Sequence, residues 1–348
     1  MSEKIYNSVF DVIADIHNKG IYNGSDYLKI RDIYKTTGMF AAKTPALNFE
    51  WVSVSETQAL SLPSPFPTRG YYFRGENGKY NMCLSSRDRI TDSEERIIKD
   101  IKTIDFELAL KQFPQVYLAE KDGLLIDYTA MAQHYGLATD YLDLTYDIGV
   151  AAFFACTKFN ENGAVFPTDS EYAQIRMKCL TLPDNPLDES NRLRILGMQP
   201  FSRPARQSAV CYRMGEGEDF AGECCTFVFK TDPEDAAIIA NCFSSPVSMN
   251  ECGGSWLFPE EMIVRTAETV KNTPCVSESA VEIYCERYDK DISNVLGILN
   301  ARSVSIAYQD VKWISDEQRK QLEEELTPYP YGKNRIGARL CYKPLGES

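Results

Sequence analysis

Polar and charged side chains that could do chemistry are concentrated between Gln133 and Thr145, ahead of a strongly apolar segment. This stretch holds one of the two histidines of the chain, two aspartates, two threonines and two tyrosines. A segment that served only for packing would not need so many polar groups. Arg74, in Phe73-Arg74-Gly75, is a further candidate, because a guanidinium can bind a phosphate or carboxylate through two parallel hydrogen bonds. We expect these two segments to form a ligand site.

Arg74 follows an aromatic run and is predicted to lie at the end of a strand. Gly75 has no side chain, so a ligand could approach the backbone closely beside Arg74. The alternative is an internal ion pair of Arg74 with Asp143 or Glu76 that clamps the strand to a loop. Both interpretations stay open on the sequence alone.

His134 lies in the last turn of a short predicted helix that Gly136 would end. The negative end of the helix dipole favours a charged imidazole at that position. Such a group could donate to a ribose hydroxyl or a phosphate, or act as a general acid or base. The alternative is a structural histidine whose ring bonds a loop carbonyl or Asp143. The scarcity of histidine in the chain favours the functional interpretation.

Asp143 and Thr145 would share one face of an extended segment, because side chains alternate along a strand. The Asp143 carboxylate could stabilise a developing oxocarbenium ion or position a nucleophile. Since an acid flanked by leucines is usually paired, a structural role as the partner of Arg74 or His134 is favoured. Asp140 would face the other way, so the two aspartates do not form a paired acid/base site.

A second polar cluster, Arg203, Arg206 and Gln207, lies in a proline-bearing segment. It could contact an anion, or it could be a solvated loop. Glu260 and Glu261 follow a proline at a predicted helix start, where they would complement the helix dipole. Neither is expected to be catalytic.

The composition excludes several classes of partner. A chain with 37 basic and 50 acidic residues carries a net charge of −13, which repels phosphate backbones, so nucleic acid is not expected as a partner. An apolar fraction of 44% is enough for a sizeable core in 348 residues. No apolar run reaches membrane-spanning length and no signal core is evident, so we expect a cytoplasmic protein without a membrane partner.

The eleven cysteines are irregularly spaced, and no Cys-x-x-Cys motif occurs. Most lie in apolar runs, which suits small buried residues in a reducing compartment. With only two histidines in the chain, a zinc site built from cysteine and histidine has almost no ligands to draw on. The sequence therefore predicts no metal.

The periodicity of apolar residues and the turn residues predict a mixed α+β domain rather than a regular βαβ series. Asp127, Asp147 (or Thr145) and Asp232 are candidate N-caps, and residues 91–94 resemble a capping box. Helices are expected at 4–18, after 91–94, at 127–136, 148–159, from 232, near 278–293 and near 315–326. Strands are expected at 71–74, 164–166, 209–213 and 223–229, and loops at 60–70, 180–205 and 244–254.

Four segments resemble, in order, the signatures of the FRG domain, a family found widely in bacteria and their mobile elements. These segments are Phe73-Arg74-Gly75, residues 133–136 leading to Leu142-Asp143, the spacing from Arg203 to Gln207, and residues 257–260. The resemblance covers roughly residues 50–265, with a helical extension at 1–49 and another at 266–348. The chain departs from the family pattern at Ala138, Asp140, Leu144 and Ala209.

A second feature is similar to arginine-type ADP-ribosyltransferases: a strand arginine, then Asp143-Leu144-Thr145, then the alanine- and phenylalanine-rich residues 150–155. This resemblance implies an ADP-ribosyltransferase-like α+β core with additional helices, in which Arg74 orients NAD. Gln207 stands where those enzymes have their catalytic glutamate. By this resemblance the catalytic candidates are Arg74, His134 and Asp143. The candidates for contacting the nucleotide are Arg74, Gly75, His134, Thr139, Thr145 and Gln207.

Two functions follow as hypotheses. The first is an NAD-type nucleotide pocket in an ADP-ribosyltransferase or NAD glycohydrolase of bacterial defence or mobile-element biology, with NAD as the cofactor. The second is a non-catalytic sensor or protein-interaction module, whose polar cluster is an internal network and whose acidic surface and C-terminal helices dock a protein partner.

Overall fold

The protein is described by a computed structural model over residues 4–43, 49–53, 58–63, 69–121, 126–160, 164–181, 190–196, 199–244, 253–308, 311–325 and 342–344. The helices are α1 (Val9–Asn18), α2 (Ser25–Thr37), α3 (Ser93–Leu110), α4 (Pro114–Lys121), α5 (Tyr128–His134), α6 (Ile148–Cys156), α7 (Arg203–Arg206), α8 (Pro233–Cys242), α9 (Met262–Asn272), α10 (Glu278–Tyr288), α11 (Ile292–Ala301) and α12 (Asp316–Glu325). The strands are β1 (Ile5–Tyr6), β2 (Phe49–Ser53), β3 (Gln58–Pro63), β4 (Arg69–Glu76), β5 (Tyr141–Thr145), β6 (Thr157–Phe159), β7 (Val165–Pro167), β8 (Tyr172–Thr181), β9 (Leu193–Ile195), β10 (Ala209–Arg213), β11 (Cys225–Lys230), β12 (Cys275–Ser277), β13 (Ser305–Ala307) and β14 (Tyr342–Pro344).

A seven-stranded sheet organises the described residues, with the strand order β1-β11-β8-β4-β5-β10-β9. β1 runs parallel to β11, and the other neighbouring strands are antiparallel. Helices pack against this mixed sheet, which confirms the predicted α+β class. Within the described strands, β4 and β5 are paired through a single residue pair, Phe73 with Thr145. Side chains beside that junction can therefore enter the gap between the two strands.

The apolar segment after Asp147 forms α6, which packs with α1 and α8 in the largest core cluster. Asp147 caps the helix by accepting a hydrogen bond from the Gly149 N–H, as one of the two predicted starts requires. The helix ends at Cys156 rather than at Phe159. Thr157–Phe159 forms β6 and pairs with β7, because β-branched and aromatic residues suit a strand.

Helices α3, α5 and α9 share a second core cluster that covers the end of the sheet formed by β5 and β10. The N-cap of α3 is Asp92, which accepts from the backbone of Glu94 and Glu95, so the capping residue lies one position after the predicted Thr91. Asp127 caps α5 and Gly136 follows its end with φ of +79°, both as predicted.

Elements in the predicted N-terminal and C-terminal extensions also contribute to the core clusters. Ile5–Tyr6 extends the main sheet beside β11, and the inner face of α1 lies in the largest core cluster. α9 crosses the predicted boundary at 265/266, and α10 and α11 pack against α3 in a cluster of their own. The boundaries 1–49, 50–265 and 266–348 therefore stay predictions, while the flanking helices contribute to shared cores.

Several sequence expectations are corrected. Residues 58–63 form β3, so Pro63 does not prevent strand pairing, and residues 64–68 lie outside the described residues. The predicted loop at 180–205 contains β9 and α7, with 182–189 and 197–198 outside the description. In the predicted loop at 244–254, residues 245–252 lie outside the described residues. The predicted helix end at 162–163 also lies outside them. The helix predicted near 278–293 is divided into α10 and the start of α11.

Of the nine cysteines in the described part of the chain, four are buried and Cys225 is exposed. The expectation that most cysteines are core residues therefore holds for fewer than half of them. Within the described residues, no helix is both long enough and apolar enough to cross a bilayer.

Candidate functional site

A cavity of about 220 Å³ opens beside the junction of β4 and β5, and residues of α6 and β10 also line it. Its apolar wall includes Phe73, Phe154 and Phe258. Its polar and backbone wall is made by Arg74, Gly75, His134, Asp143, Thr145 and Gln207. Sequence segments that lie far apart in the chain thus meet around one hollow. The sequence-predicted arginine and imidazole both line it.

Arg74 enters the cavity from β4 with a partly exposed guanidinium. Its Nη1 donates to the Asp143 backbone carbonyl at 3.0 Å, and its Nε lies 3.3 Å from Glu76 Oε1. The internal contact with Glu76 therefore exists, whereas the contact with Asp143 is to the backbone rather than to the carboxylate. Among the described residues, the remaining N–H groups of Arg74 have no hydrogen-bond acceptor. They are the donors that a ligand would meet.

Glu76 is shared between two arginines. Its Oε2 accepts from Arg176 Nε at 2.7 Å and from Gln174 Nε2 at 2.7 Å. Burial favours the neutral acid, but Arg74, Gln174 and Arg176 outweigh it, so the pKa of Glu76 lies below its ordinary value. The carboxylate is therefore ionised at neutral pH and holds the β4 and β8 side chains in place.

Gly75 lines the cavity, and its lack of a side chain is also needed for the packing of α6 against β4. A Cβ at this position would lie 1.8 Å from the Ala151 carbonyl oxygen and 2.7 Å from the Ala155 nitrogen. The glycine is required because α6 packs directly on β4. Close approach of a ligand to Gly75 stays a prediction.

Asp143 projects from β5 with 38% of its side chain exposed. Its Oδ2 accepts from Gln133 Nε2 at 2.9 Å. Gln133 is itself held by the Thr139 hydroxyl, which donates to its Oε1 at 2.6 Å. A chain of hydrogen bonds therefore orients one carboxylate oxygen, while the other accepts from the Cys211 thiol and lies beside His134 Nε2.

The His134 imidazole is 3% exposed, and its Nε2 lies 3.5 Å from Asp143 Oδ1. Nε2 is buried, and none of the residues that the structure describes gives it a hydrogen-bond partner. Burial lowers the pKa of His134 below its ordinary value, although the Asp143 carboxylate works in the opposite direction. The expectation of a charged imidazole from the helix dipole is therefore wrong, because loss of hydration outweighs the dipole.

Thr145 and Gln207 are bonded to one another and to the surrounding backbone. The Thr145 hydroxyl donates to the Gln207 carbonyl at 2.9 Å, and Gln207 Nε2 donates to the Leu257 carbonyl at 3.0 Å. Both side chains face the cavity while fixing the segments that form it. Gln207 has an amide where a catalytic base would need a carboxylate.

Thr139 does not line the cavity, unlike the other candidate site residues. It is buried, and its hydroxyl also accepts from the Tyr141 backbone N–H. The Thr139 hydroxyl donates to Gln133 on the side away from the cavity. Its place in the structure is that of a positioning residue.

The cluster predicted as a solvated loop or anion contact forms the short helix α7. The Arg203 guanidinium lies 4.7 Å from the Tyr135 ring centroid, and that of Arg206 lies 4.4 Å from the Trp256 ring. Cation–π packing, rather than solvation, accounts for both arginines. Glu261 accepts from Ser202 N–H at 2.6 Å, so it joins α7 to α9 and makes no side-chain cap.

Four residues of this region had no role assigned from the sequence. Gln133 lay within the recognised segment, and Phe258 lay within residues 257–260, but neither was weighed. Cys211 packs at 3.8 Å from Asp143 Oδ1, because the two residues are paired across β10 and β5. Arg176 could only be found once β8 was known to lie beside β4. Local sequence does not determine which distant strands pair or in which register.

The arrangement combines a cationic donor, an oriented carboxylate and a neutral imidazole around a hollow with an apolar side. Such a set can hold an anionic ligand and stabilise positive charge next to it.

Residues 69–163 match the family model of the FRG domain. Comparison with curated proteins and with solved structures finds no match. The chain carries an FRG domain, and the matched region contains β4, α5 and β5, which supply Arg74, His134 and Asp143.

Proposed function

We propose that the FRG domain of this chain binds a nucleotide of the NAD type in the cavity beneath Arg74. The observation that carries the proposal is the meeting of the Arg74 guanidinium, the Asp143 carboxylate and the His134 imidazole around one hollow. Nη1 and Nε anchor Arg74 to the protein. Its other N–H groups have no acceptor among the described residues and could donate to phosphate oxygens, and charge-assisted bonds of this kind are stronger than neutral ones.

The size of the cavity limits how much of the ligand it encloses. About 220 Å³ is less than the roughly 300–1,000 Å³ of pockets that enclose whole drug-sized ligands. A dinucleotide would therefore enter with one end. In this proposal the nicotinamide and its ribose lie against Phe154 and Phe258, and the adjacent phosphate meets Arg74.

If the site is catalytic, the reaction is cleavage of the bond between nicotinamide and ribose. Nicotinamide leaves with the bonding electron pair, and the ribosyl oxocarbenium ion that remains is captured by water or another acceptor, which loses a proton. Asp143 is the carboxylate placed to stabilise the developing positive charge. An ADP-ribosyltransferase-like core would fit this reaction, and the acceptor would decide between transferase and glycohydrolase.

The alternative function is a non-catalytic sensor or protein-interaction module. Gln207 favours it, because its amide cannot act as a base and is engaged with the Leu257 carbonyl. In this version the nucleotide or a protein partner is bound without turnover. A role in bacterial defence or mobile-element biology rests on where FRG domains occur, and a cytoplasmic location rests on the cysteine pattern and composition of the sequence.

NAD consumption and NAD-induced thermal stabilisation of the purified chain test the proposal, with Arg74→Ala beside the wild type. The matched control is Arg213→Ala. Arg213 lies on β10 outside the cavity, is half-exposed, and forms an ion pair with Asp140. Turnover that is lost in Arg74→Ala but kept in Arg213→Ala supports the enzyme. A thermal shift without turnover supports a nucleotide sensor. A wild type that shows neither contradicts nucleotide binding and favours the interaction module.

A further inference from the structure

We infer that the inner wall of the cavity is a binding site for one zinc-class divalent cation, held by His134, Asp143 and Cys211. The imidazole nitrogen, a carboxylate oxygen and the thiol sulfur of these residues all lie within 4.8 Å of one another. They come from α5, β5 and β10, so three separate elements converge on one point. The inference goes beyond nucleotide binding and does not depend on it.

The separation between the His134 and Asp143 ligand atoms fits ligands of a shared ion better than it fits a direct hydrogen bond, while the Cys211 thiol donates to the same carboxylate oxygen. Asp143 Oδ1 lies 3.5 Å from His134 Nε2 and 3.8 Å from Cys211 Sγ. Zinc bonds of about 2.0–2.3 Å in a tetrahedron place neighbouring ligand atoms about 3.3–3.7 Å apart. An N–H···O hydrogen bond, in contrast, has its donor and acceptor about 2.7–3.2 Å apart.

An unsatisfied nitrogen provides the independent observation. Within the part of the chain that the structure describes, His134 Nε2 is buried with no hydrogen-bond partner, and the His134 side chain is 3% exposed. A buried polar atom without a partner is costly. A cation between His134 and Asp143 would accept the nitrogen lone pair and remove that cost.

The surrounding residues orient the ligands in the way that outer residues of metal sites do. Gln133 Nε2 holds Asp143 Oδ2 at 2.9 Å, which leaves Oδ1 directed at the proposed ion. Gln133 is fixed in turn by Thr139 and by Ser86, whose hydroxyls both donate to its Oε1. Cys211 is held opposite Asp143 by the strand register, so both side chains lie on the same face of the sheet.

The ligand types select the metal and its open side. Imidazole, carboxylate and thiolate together suit zinc, and a site with three protein ligands leaves a fourth position for water or substrate. His134 and Asp143 line the cavity, whereas Cys211 is buried behind them. The fourth position would therefore face the hollow. The sequence predicts no metal only when cysteine and histidine are taken as the ligands. A carboxylate ligand such as Asp143 is not included in that prediction.

Cobalt(II) is the probe for this site, because it replaces zinc and a thiolate ligand gives it a charge-transfer absorption. The full chain is treated with chelator and titrated with Co²⁺. We expect one Co²⁺ per chain, a thiolate-to-cobalt band, and displacement of the band by one equivalent of Zn²⁺. Cys211→Ser should abolish the band. Asp143→Asn, which keeps the side-chain shape, should weaken Co²⁺ binding at least about tenfold.

Cys156→Ser is the matched control, since Cys156 is a buried thiol outside the site and its loss should leave the band intact. A folded wild type that takes up no stoichiometric Co²⁺, or a band that persists in Cys211→Ser, overturns the inference. If Cys211→Ser does not fold, the affinity of Asp143→Asn decides, and an unchanged affinity overturns it. Arg74→Gln separates the two proposals, because it should retain the cobalt band while its affinity for NAD falls.

Discussion

Arg74 and Arg176 face each other in register across β4 and β8 and share the carboxylate of Glu76, yet their surroundings differ. The Arg176 side chain is 3% exposed, and its nitrogens donate to Glu76, to the Thr226 hydroxyl and to the Tyr80 carbonyl. Arg74 is 19% exposed and keeps N–H groups directed at the cavity. One arginine completes a closed network, and the other has donors left for a ligand.

This difference shows that residue type does not separate structural from binding arginines. Both lie on neighbouring strands and both contact the same buried acid. What distinguishes them is whether the protein supplies an acceptor for every donor. The predictions below alter one side of the pair at a time.

The largest effect is expected for Glu76→Gln, which removes the charge shared by both arginines and keeps the side-chain shape. Breaking a buried ion pair from one side costs about 3–5 kcal/mol, so the free energy of unfolding in urea should fall by that amount. Glu223→Gln is the control, because Glu223 is 48% exposed in its pair with Lys178 and should cost less than about 1 kcal/mol. A loss below about 1 kcal/mol for Glu76→Gln would show that the network is not essential.

The comparison of Arg74 with Arg176 also predicts how the contribution of Glu76 to the stability of the protein depends on pH. The pKa of Glu76 is lowered in the folded protein by Arg74, Gln174 and Arg176 against the effect of burial. A lowered pKa gives stability that is complete above the unfolded value, about 4.3, and is lost as the pH falls through the folded value. The stability gap between wild type and Glu76→Gln should therefore be full at neutral pH and close in acid. A gap that is constant from neutral to strongly acidic pH would contradict this.

Gly75→Ala should destabilise the protein by about 3 kcal/mol, because its Cβ would overlap the Ala151 carbonyl. Gly297→Ala is the matched control. Gly297 lies in α11 with nothing within 4 Å of its added Cβ, so alanine should stabilise by about 0.5–1 kcal/mol. Thermal unfolding of both variants measures the difference. If Gly75→Ala is neutral for stability and weakens only ligand binding, the glycine serves ligand approach instead.

The smallest effect is expected for Thr139→Val, which removes the hydroxyl that holds Gln133. Two hydrogen bonds are lost, one to Gln133 and one from the Tyr141 N–H, which should lower the free energy of unfolding by about 2 kcal/mol. Because Thr139 does not line the cavity, NAD affinity should change by less than about threefold, which is under 1 kcal/mol. A loss of NAD affinity above about tenfold would restore Thr139 as a nucleotide contact.

Local signals predicted much of the secondary structure. Side-chain caps at Asp127 and Asp147, the stop at Gly136 and the apolar strand 209–213 all lie where the sequence placed them. Each depends on contacts within a few residues, and such contacts are encoded in short segments.

The elements that were missed depend on distant partners. No strand was predicted at β8, because Gln174 and Arg176 look like surface residues until Glu76 is placed beside them. The proximity of Cys211 to Asp143 follows from a strand register that the sequence does not state. The neutral His134 follows from burial, whereas the sequence predicts only its position in the last turn of α5.

Isothermal titration of NAD into the wild type, Arg74→Gln and Arg213→Gln tests the central claim most directly. The account predicts that the wild type and Arg213→Gln bind with the same affinity. Arg74→Gln, still folded by circular dichroism, should bind roughly 10–100-fold more weakly, because it loses charged hydrogen bonds worth about 1.5–3 kcal/mol. Equal affinity in the wild type and Arg74→Gln, or no binding by the wild type, would contradict it.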